Sequence, residues 1–298
     1  MEFVWIGVAL CVFVAIFAAI LHTKKTEEEE LVSYDYLKKI EREPLQGKKI
    51  FCIGNSYSDD SVRYIPEVLY GLNQNNFVIA NVYIGGAPLE LHAQNIAIDA
   101  PAYEYRKFKG EWTNTPKVSI LQALMDEDWD LVVLQQQSAK AGVSQSYSPY
   151  LQQIIEYVKE HCPKAKIAFN MTWAYPSYSK CGAFEIFDCS VKKMYESIAS
   201  VMTSRIEPNF DFSFVIPTGT ALQNARTVIE DKELFRDDIH LSNKGRFLAS
   251  MAWVKELYGL DMNNLQSVIE EVSIQEAQIF VKAVESAYKH PYVVTEIE

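Results

Sequence analysis

The sequence predicts an α/β domain with a parallel central sheet that helices cover on both faces. Short apolar runs of strand length alternate with segments of helical periodicity from about residue 48 to about residue 258. Runs such as the "LVVL" of residues 131–134 are apolar throughout, as burial on both faces of a sheet requires. We therefore expect one domain over residues 48–260, followed by a C-terminal helical tail over 261–298.

The elements of this domain follow one another in chain order. Five segments predict strands, namely "KKIFCI", "NFVIANVYI", "WDLVVLQ", "KIAFNM" and "FDFSFVIP". Helices are predicted over 59–74, 88–98, 150–160, 184–204 and 245–259, with a further packing helix within 263–290. The aromatic-rich section "YEYRKFKGEWTNTPKVS" predicts a small hairpin that turns at Lys109-Gly110.

Composition and charge restrict the partners that this chain can bind. Its 298 residues are 49% hydrophobic, enough for one large α/β domain with an appendage. The formal net charge is -11, and no cluster of Lys and Arg appears in the sequence. Because phosphate binding needs such a cluster, we expect no nucleic-acid partner.

The N-terminus carries a long apolar segment. Residues 3–21 form an uncharged run of 19 residues, close to the ~20 that a helix needs to cross a bilayer. The segment predicts either a membrane anchor or a signal peptide. The acidic start, the length of the run and the lack of a good cleavage site favour an uncleaved anchor over residues 1–24. A polar connector is predicted over 25–47.

Candidate chemistry lies where the strands end, because ligands of open parallel sheets bind beyond the carboxyl ends of the strands. Ser56 follows the first strand at the start of a helix, where backbone N–H groups stabilise negative charge. His240 and Asp237 lie three residues apart in a late loop, and Gly86 follows the second strand. Together they match a serine nucleophile, its base, the acid that orients the base and an oxyanion donor. Each also has a structural interpretation as a helix cap, a surface histidine or a turn residue.

Several motifs together resemble one known superfamily. Gly54-Asn55-Ser56 follows the first strand, a glycine lies in the next strand-end loop, and Asp237-Asp238-Ile239-His240 comes late in the chain. These motifs resemble the SGNH (GDSL-type) hydrolase superfamily, whose Asp-x-x-His block matches Asp237 and His240. The likeness is closer still to an uncharacterised bacterial branch that is classed as a domain of unknown function. It rests on "GNSYS", "YIGGAPLELH", "WDLVVLQQQS", "MTWAYP", "IPTGTALQNAR" and "RDDIHLSNKGR".

The resemblance implies a flavodoxin-like three-layer fold and a serine hydrolase that needs no metal or organic cofactor. Ser56 is then the nucleophile, His240 the base and Asp237 the residue that orients it. The implied oxyanion hole consists of the backbone N–H groups of Ser56 and Gly86 and one side chain. In the wider superfamily that side chain is an Asn after the third strand, which "LQQQSAKAG" lacks. The expected replacement is the amide of either Gln135 or Gln136.

Four further residues are predicted to contact the substrate. Asn55 stands beside the nucleophile, and His92 follows the glycine loop, where it is either substrate-binding or structural. Trp173 and Tyr175, on the loop after the fourth strand, either stack against a sugar ring or cover the edge of the sheet. Cys181 and Cys189 either form a disulfide or stay free thiols, and their spacing matches no metal site.

The predicted function is therefore a serine esterase that hydrolyses an O-acetyl or similar short acyl group on a carbohydrate. A lipid ester near the membrane surface is the other substrate that the sequence leaves open. The alternatives are a catalytically inert glycan-binding module on the same fold and a tethered structural protein. Such carbohydrate esterases usually face outward, whereas Lys24 and Lys25 favour a cytoplasmic domain by the positive-inside rule. We expect a single-pass membrane protein whose soluble domain is extracytoplasmic.

Overall fold

The computed structural model describes residues 44–298. Within that range the chain forms one mixed sheet. Its strands are β1 (Lys49–Gly54), β2 (Val78–Tyr83), β3 (Tyr103–Phe108), β4 (Trp112–Val118), β5 (Leu131–Leu134), β6 (Lys166–Asn170) and β7 (Phe214–Ile216). Their spatial order is β4-β3-β2-β1-β5-β6-β7. Five strands are parallel, and counted alone they follow the 2-1-3-4-5 order of flavodoxin-like sheets.

Helices cover the sheet. They are α1 (Ser56–Val62), α2 (Ile65–Gly71), α3 (Leu89–Ala97), α4 (Ile120–Leu124), α5 (Tyr150–His161), α6 (Val191–Val201), α7 (Thr218–Ala225), α8 (Asp231–Leu234), α9 (Asn243–Tyr258) and α10 (Ile274–Lys289). One group packs around α9 and includes α1, α2, α7 and α10, whereas α3, α4 and α5 contact one another. Every residue of β5 is buried, as the apolar run predicts. The predicted α/β class with a mostly parallel sheet is confirmed.

Two predicted helices differ from the structure. The helix predicted over 59–74 is divided into α1 and α2, with the break at Arg63 and Tyr64. Pro66 explains the break, because proline has no N–H and its ring would clash with the carbonyl of Val62 four residues earlier. The helix predicted over 184–204 begins as a 3₁₀ turn at Gly182–Phe187, and α6 starts only at Val191.

The predicted hairpin is present and extends the sheet. β3 and β4 are antiparallel, and the turn passes through Gly110, whose φ of +88° is one that glycine tolerates. β3 also pairs in antiparallel fashion with β2, so the hairpin forms one edge of the sheet. The alternation of apolar residues indicates a hairpin but does not predict this attachment.

The C-terminal tail is bound to the domain through α7. The buried side chain of Asn224 donates to the carbonyl of Ala283 at 3.1 Å and accepts from the N–H of Thr295 at 2.7 Å. α10 also packs against α9. The tail helix thus has both apolar and polar contacts with the rest of the domain.

The predicted membrane anchor and most of the predicted connector lie outside the described residues. From residue 44 onward, no helix is long and apolar enough to cross a membrane. Leu45 is buried, and its N–H donates to the carbonyl of Leu257 at 2.7 Å, so this part of the connector packs on the domain.

Candidate active site

Ser56 stands at the point where the nucleophile of a parallel-sheet hydrolase is expected. It is the first residue of α1, directly after β1, and it is half-buried. Asn55 caps the helix, because its Oδ1 accepts from the N–H of Tyr57 at 2.9 Å. Gly54 allows the tight turn, since a Cβ there would lie 1.7 Å from Ser58 Oγ.

The structure brings the three predicted catalytic residues together. Ser56 Oγ lies 2.9 Å from His240 Nε2, and His240 Nδ1 lies 2.9 Å from Asp237 Oδ2. A carboxylate only accepts hydrogen bonds, so Nδ1 carries the ring hydrogen and Nε2 accepts from the serine hydroxyl. This is the relay that activates a serine in serine hydrolases.

Asp237 is held in its charged form. Burial raises the pKa of its carboxyl, but hydrogen bonds from the backbone N–H groups of Ile239 and His240 and from the His240 ring outweigh that effect. The net pKa lies below the ordinary value. The two backbone bonds, 2.9 and 2.7 Å long, also fix the carboxylate within its own loop.

Two aromatic residues position the segment that carries His240. Tyr57 Oη and Trp173 Nε1 both donate to the carbonyl of Ile239, at 2.7 and 3.1 Å. Their rings stack with centroids 4.0 Å apart, and both are about 1% exposed. Trp173 is predicted from the sequence either to stack against a sugar ring or to cover the edge of the sheet. Its observed contacts are with Tyr57 and Ile239, and its burial leaves no ring face exposed.

The other predicted substrate-contacting residues are also buried. Tyr175 is 1% exposed and shares a hydrogen bond of 2.9 Å with Ser138. His92 is fully buried, its Nδ1 lies 2.9 Å from Tyr103 Oη, and burial lowers its pKa to about 4. Asn55 is 2% exposed, donates to the carbonyl of Ala87 at 2.9 Å and accepts from the amide of Gln135 at 2.8 Å. These positions favour structural roles over direct contact with a ligand.

The predicted oxyanion donors differ in whether they are exposed or already bonded to other protein groups. Gly86 is exposed, has a φ of +67°, and has open space where a Cβ would stand. Gln136 is fully buried, and its amide donates to both the carbonyl and the hydroxyl of Ser146 at 3.0 Å. Gln135 donates to Asn55 Oδ1 at 2.8 Å. Gln136 thus uses both N–H groups of its amide on Ser146, whereas Gln135 uses one on Asn55 and is 2% exposed.

A chain of buried polar side chains crosses the carboxyl ends of the parallel strands in sheet order. It begins at the carbonyl of Ala87, beyond β2, and continues through Asn55, Gln135, Asn170 and Thr218. The successive hydrogen bonds measure 2.9, 2.8, 3.1 and 2.6 Å. The first two bonds connect the nucleophile turn to the neighbouring strands. We call this set the amide chain.

Asn170 and Thr218 are not among the site residues predicted from the sequence. Asn170 is the last residue of β6 and Thr218 the first of α7, and both are fully buried. A polar residue at the end of an otherwise apolar strand is the signal that marks such positions.

Within residues 44–298, no group of three His, Cys, Asp or Glu side chains has the arrangement of a metal site. Cys181 and Cys189 are both free thiols.

Comparison with known proteins places this chain in a family. Residues 49–288 match the model of the "Domain of unknown function (DUF4886)" family. The crystal structure of a DUF4886 family protein from Bacteroides uniformis is 33% identical, with a TM-score of 0.80 over 84% of this chain and 97% of its own.

Two more distant structures are also similar. A protein from Slackia heliotrinireducens, described as a candidate SGNH hydrolase, is 19% identical with a TM-score of 0.47, over 71% of this chain and 100% of its own. A catalytic mutant of an acetylxylan esterase from Geobacillus stearothermophilus is 12% identical with a TM-score of 0.44, over 71% of this chain and 94% of its own. No curated protein matches the chain. The family match and the 33% identical structure show that this chain belongs to the DUF4886 family, which confirms its predicted resemblance to a domain-of-unknown-function branch.

Proposed function

We propose that this protein is a serine esterase with Ser56 as its nucleophile. The observation that carries the proposal is the continuous hydrogen-bonded relay from Ser56 through His240 to Asp237, with both links at 2.9 Å. A capping serine needs no such partners. Their arrangement matches the activation that a serine hydroxyl requires at neutral pH.

In the proposed reaction, Ser56 Oγ attacks the ester carbonyl carbon while His240 Nε2 takes its proton. The oxyanion that forms accepts hydrogen bonds from the backbone N–H groups of Ser56 and Gly86. His240 then gives the proton to the departing alcohol, which leaves an acyl-enzyme on Ser56. Water, deprotonated by His240, attacks the acyl carbon and releases the acid. Asp237 stabilises the imidazolium in both steps.

Gln137 is our candidate for the third oxyanion donor. Ile53 of β1 lies beside Leu134 of β5 in the parallel register, so Ser56 and Gln137 each follow a paired residue by three positions. Gln137 is half-buried, and its side-chain amide makes no hydrogen bond with any described residue. It is therefore available to a ligand, whereas the amides of Gln135 and Gln136 are engaged.

The substrate class that we propose is a short acyl ester, such as an acetyl ester, of a carbohydrate, as the sequence resemblance implies. The side chains of Asp237 and His240 are 47% and 23% exposed. A site at the surface accommodates an alcohol that belongs to a long or branched molecule. Fold alone does not identify a substrate, so this class stands on the resemblance and on the openness of the site.

The alternative is an inert glycan-binding module. The engaged amides of Gln135 and Gln136 favour it, because the oxyanion hole then lacks the side-chain donor expected from them. The burial of Trp173 and Tyr175 counts against it, since neither ring presents a face to a sugar. A module of this kind predicts glycan binding that survives loss of the Ser56 hydroxyl.

The test compares wild type with Ser56→Ala and with Ser200→Ala, which removes an exposed hydroxyl on α6. Labelling by a fluorophosphonate probe and hydrolysis of an aryl acetate are measured for each. We expect both signals in wild type and Ser200→Ala and neither in Ser56→Ala. A folded wild type that gives neither signal but binds xylo-oligosaccharides would instead support the binding module.

A further inference from the structure

Asp60 carries a buried charge that the relay does not use. It lies on α1, four residues after Ser56, and is fully buried. Its carboxylate accepts from Arg236 Nη1 at 3.0 Å, from Arg246 Nε at 2.7 Å and from the N–H of Leu241 at 2.9 Å. Such a carboxylate is stable in a protein interior only where its partners offset the loss of water.

Two of these partners flank Asp237 and His240 in the sequence. Arg236 directly precedes Asp237, and Leu241 directly follows His240. The N–H of Arg236 donates to the carbonyl of His240 at 3.0 Å, and the Arg236 guanidinium donates to the carbonyl of Leu241. These bonds hold the two ends of the loop together, and we call those ends, Arg236 and Leu241, the neck of the loop. Asp60 binds both sides of that neck.

Ser56 and Asp60 belong to the same short helix. Residues four apart on a helix lie on the same face, about one turn from each other. The nucleophile and the group that holds the neck of the loop therefore move as one unit. The 2.9 Å contact between Ser56 Oγ and His240 Nε2 joins the same helix and the same loop that Asp60 also connects.

We propose that Asp60 is a positioning residue that fixes His240 relative to Ser56 through Arg236 and Leu241. The inference rests on the proposed esterase function. Asp60 does not contact the reacting atoms, so its effect is on geometry. The loss of its carboxylate frees the neck of the loop and lets His240 move away from the serine hydroxyl.

The experiment compares Asp60→Asn with Asp59→Asn in the full-length protein. Asp59 is the adjacent residue and pairs with Arg106 of β3 at 2.9 Å, away from the loop. We measure kcat and KM for an aryl acetate, the rate of fluorophosphonate labelling per folded molecule, and hydrogen exchange of the backbone amides of residues 236–241. All measurements are made well below the unfolding temperature of each variant.

For Asp60→Asn we expect kcat and the labelling rate to fall about 100-fold with KM within about twofold, because a displacement of about 1 Å costs a factor of that order. Exchange at residues 236–241 should increase. Asp59→Asn should retain the wild-type values. A purely structural role would lower the fraction of folded protein but not the labelling rate per folded molecule, and that result would overturn the proposal.

Two further variants cover the case in which Asp60→Asn does not fold. Arg236→Gln removes the positive charge that faces Asp60 from the loop side. Arg236→Lys keeps a charged donor but lacks the planar guanidinium, whose Nη1 serves both Asp60 and the carbonyl of Leu241. We expect the glutamine variant to lose activity and the lysine variant to recover part of it. Wild-type activity and unchanged exchange at residues 236–241 in Arg236→Gln would overturn the proposal. A wild type without any Ser56 labelling would refute the esterase function, and the exchange data alone would then decide the role of Asp60 in holding the loop.

Discussion

The side chains that connect neighbouring strands differ between the two ends of the parallel strands. At the carboxyl ends, the amide chain links neutral side chains in the interior, and its members are at most 2% exposed. At the amino end of β5, Glu127 accepts from Lys49, Lys107 and Lys109 at 2.7 to 2.9 Å. Two of these lysines are 37% and 65% exposed, so this network is in contact with water.

The difference indicates what each end requires. A buried amide has one donor end and one acceptor end, so a chain of them fixes orientation at every link and is costly to interrupt. Ion pairs near water tolerate a range of geometries and contribute little individually. The end that holds the Ser56 turn thus has hydrogen bonds that fix the positions of its side chains. The opposite end only has to keep the hairpin and the sheet together.

The largest effect should come from interrupting the amide chain with Gln135→Ala. It removes one of the two hydrogen bonds that Asn55 Oδ1 accepts and the shorter of the two that Asn170 Nδ2 donates, and it opens a cavity. Together these losses cost about 4 kcal/mol of unfolding free energy. We expect kcat to fall about tenfold or more, because Asn55 caps the nucleophile helix. Urea unfolding and aryl acetate hydrolysis measure the two effects. The exposed Gln152→Ala is the control, and unchanged kcat in folded Gln135→Ala would contradict the positioning role of the chain.

The next effect concerns His92, beyond the loop that follows β2. Its folded pKa of about 4 lies below the ordinary 6.5, so the unfolded chain takes up a proton first as the pH falls. The free energy of unfolding should therefore decrease by up to about 3 kcal/mol as the pH falls from about 6.5 to about 4. The variant His92→Phe should lose this dependence. Unfolding curves at several pH values test it, and parallel pH profiles for the two proteins would count against it.

The smallest effect should come from Glu127→Gln at the opposite end of the sheet. Hydrogen bonds from Lys107, Lys109 and Lys49 lower the pKa of Glu127 to about 2. The stabilisation of the folded state by Glu127 is fully present above the ordinary pKa of 4.5 and is lost as the pH falls toward 2. We expect a loss of about 1 kcal/mol at neutral pH, no difference near pH 2 and unchanged kcat. Lowered kcat would show that the two ends are not independent.

Much of the fold is predictable from local patterns. Apolar runs identify the five parallel strands because each is buried along its length, and the Lys109-Gly110 turn identifies the hairpin. The attachment of that hairpin to β2 depends on pairing between distant segments, which no local pattern records. The division of the helix at Pro66 is a local effect that the periodicity of apolar residues conceals.

The candidate site divides in the same way. Ser56, His240 and Asp237 are recognisable because their residue types are chemically specific and they stand where strands and loops end. The burial of Trp173 depends on the distant segment that contains Ile239, so its sequence position alone favours an exposed loop residue. The amide chain is harder to predict, because asparagine and glutamine are common and only the register of the sheet makes them neighbours.

The attachment of the tail to Asn224 affects how the protein is made. During synthesis Asn224 leaves the ribosome well before Ala283 and Thr295, the residues whose backbone satisfies its amide. Until they emerge, the buried side chain of Asn224 lacks these two backbone partners, so the interior of the domain around α7 is incomplete. A chain that stopped before Ala283 would therefore contain Ser56, Asp237 and His240 but an unfinished core, and cellular proteases degrade such chains readily.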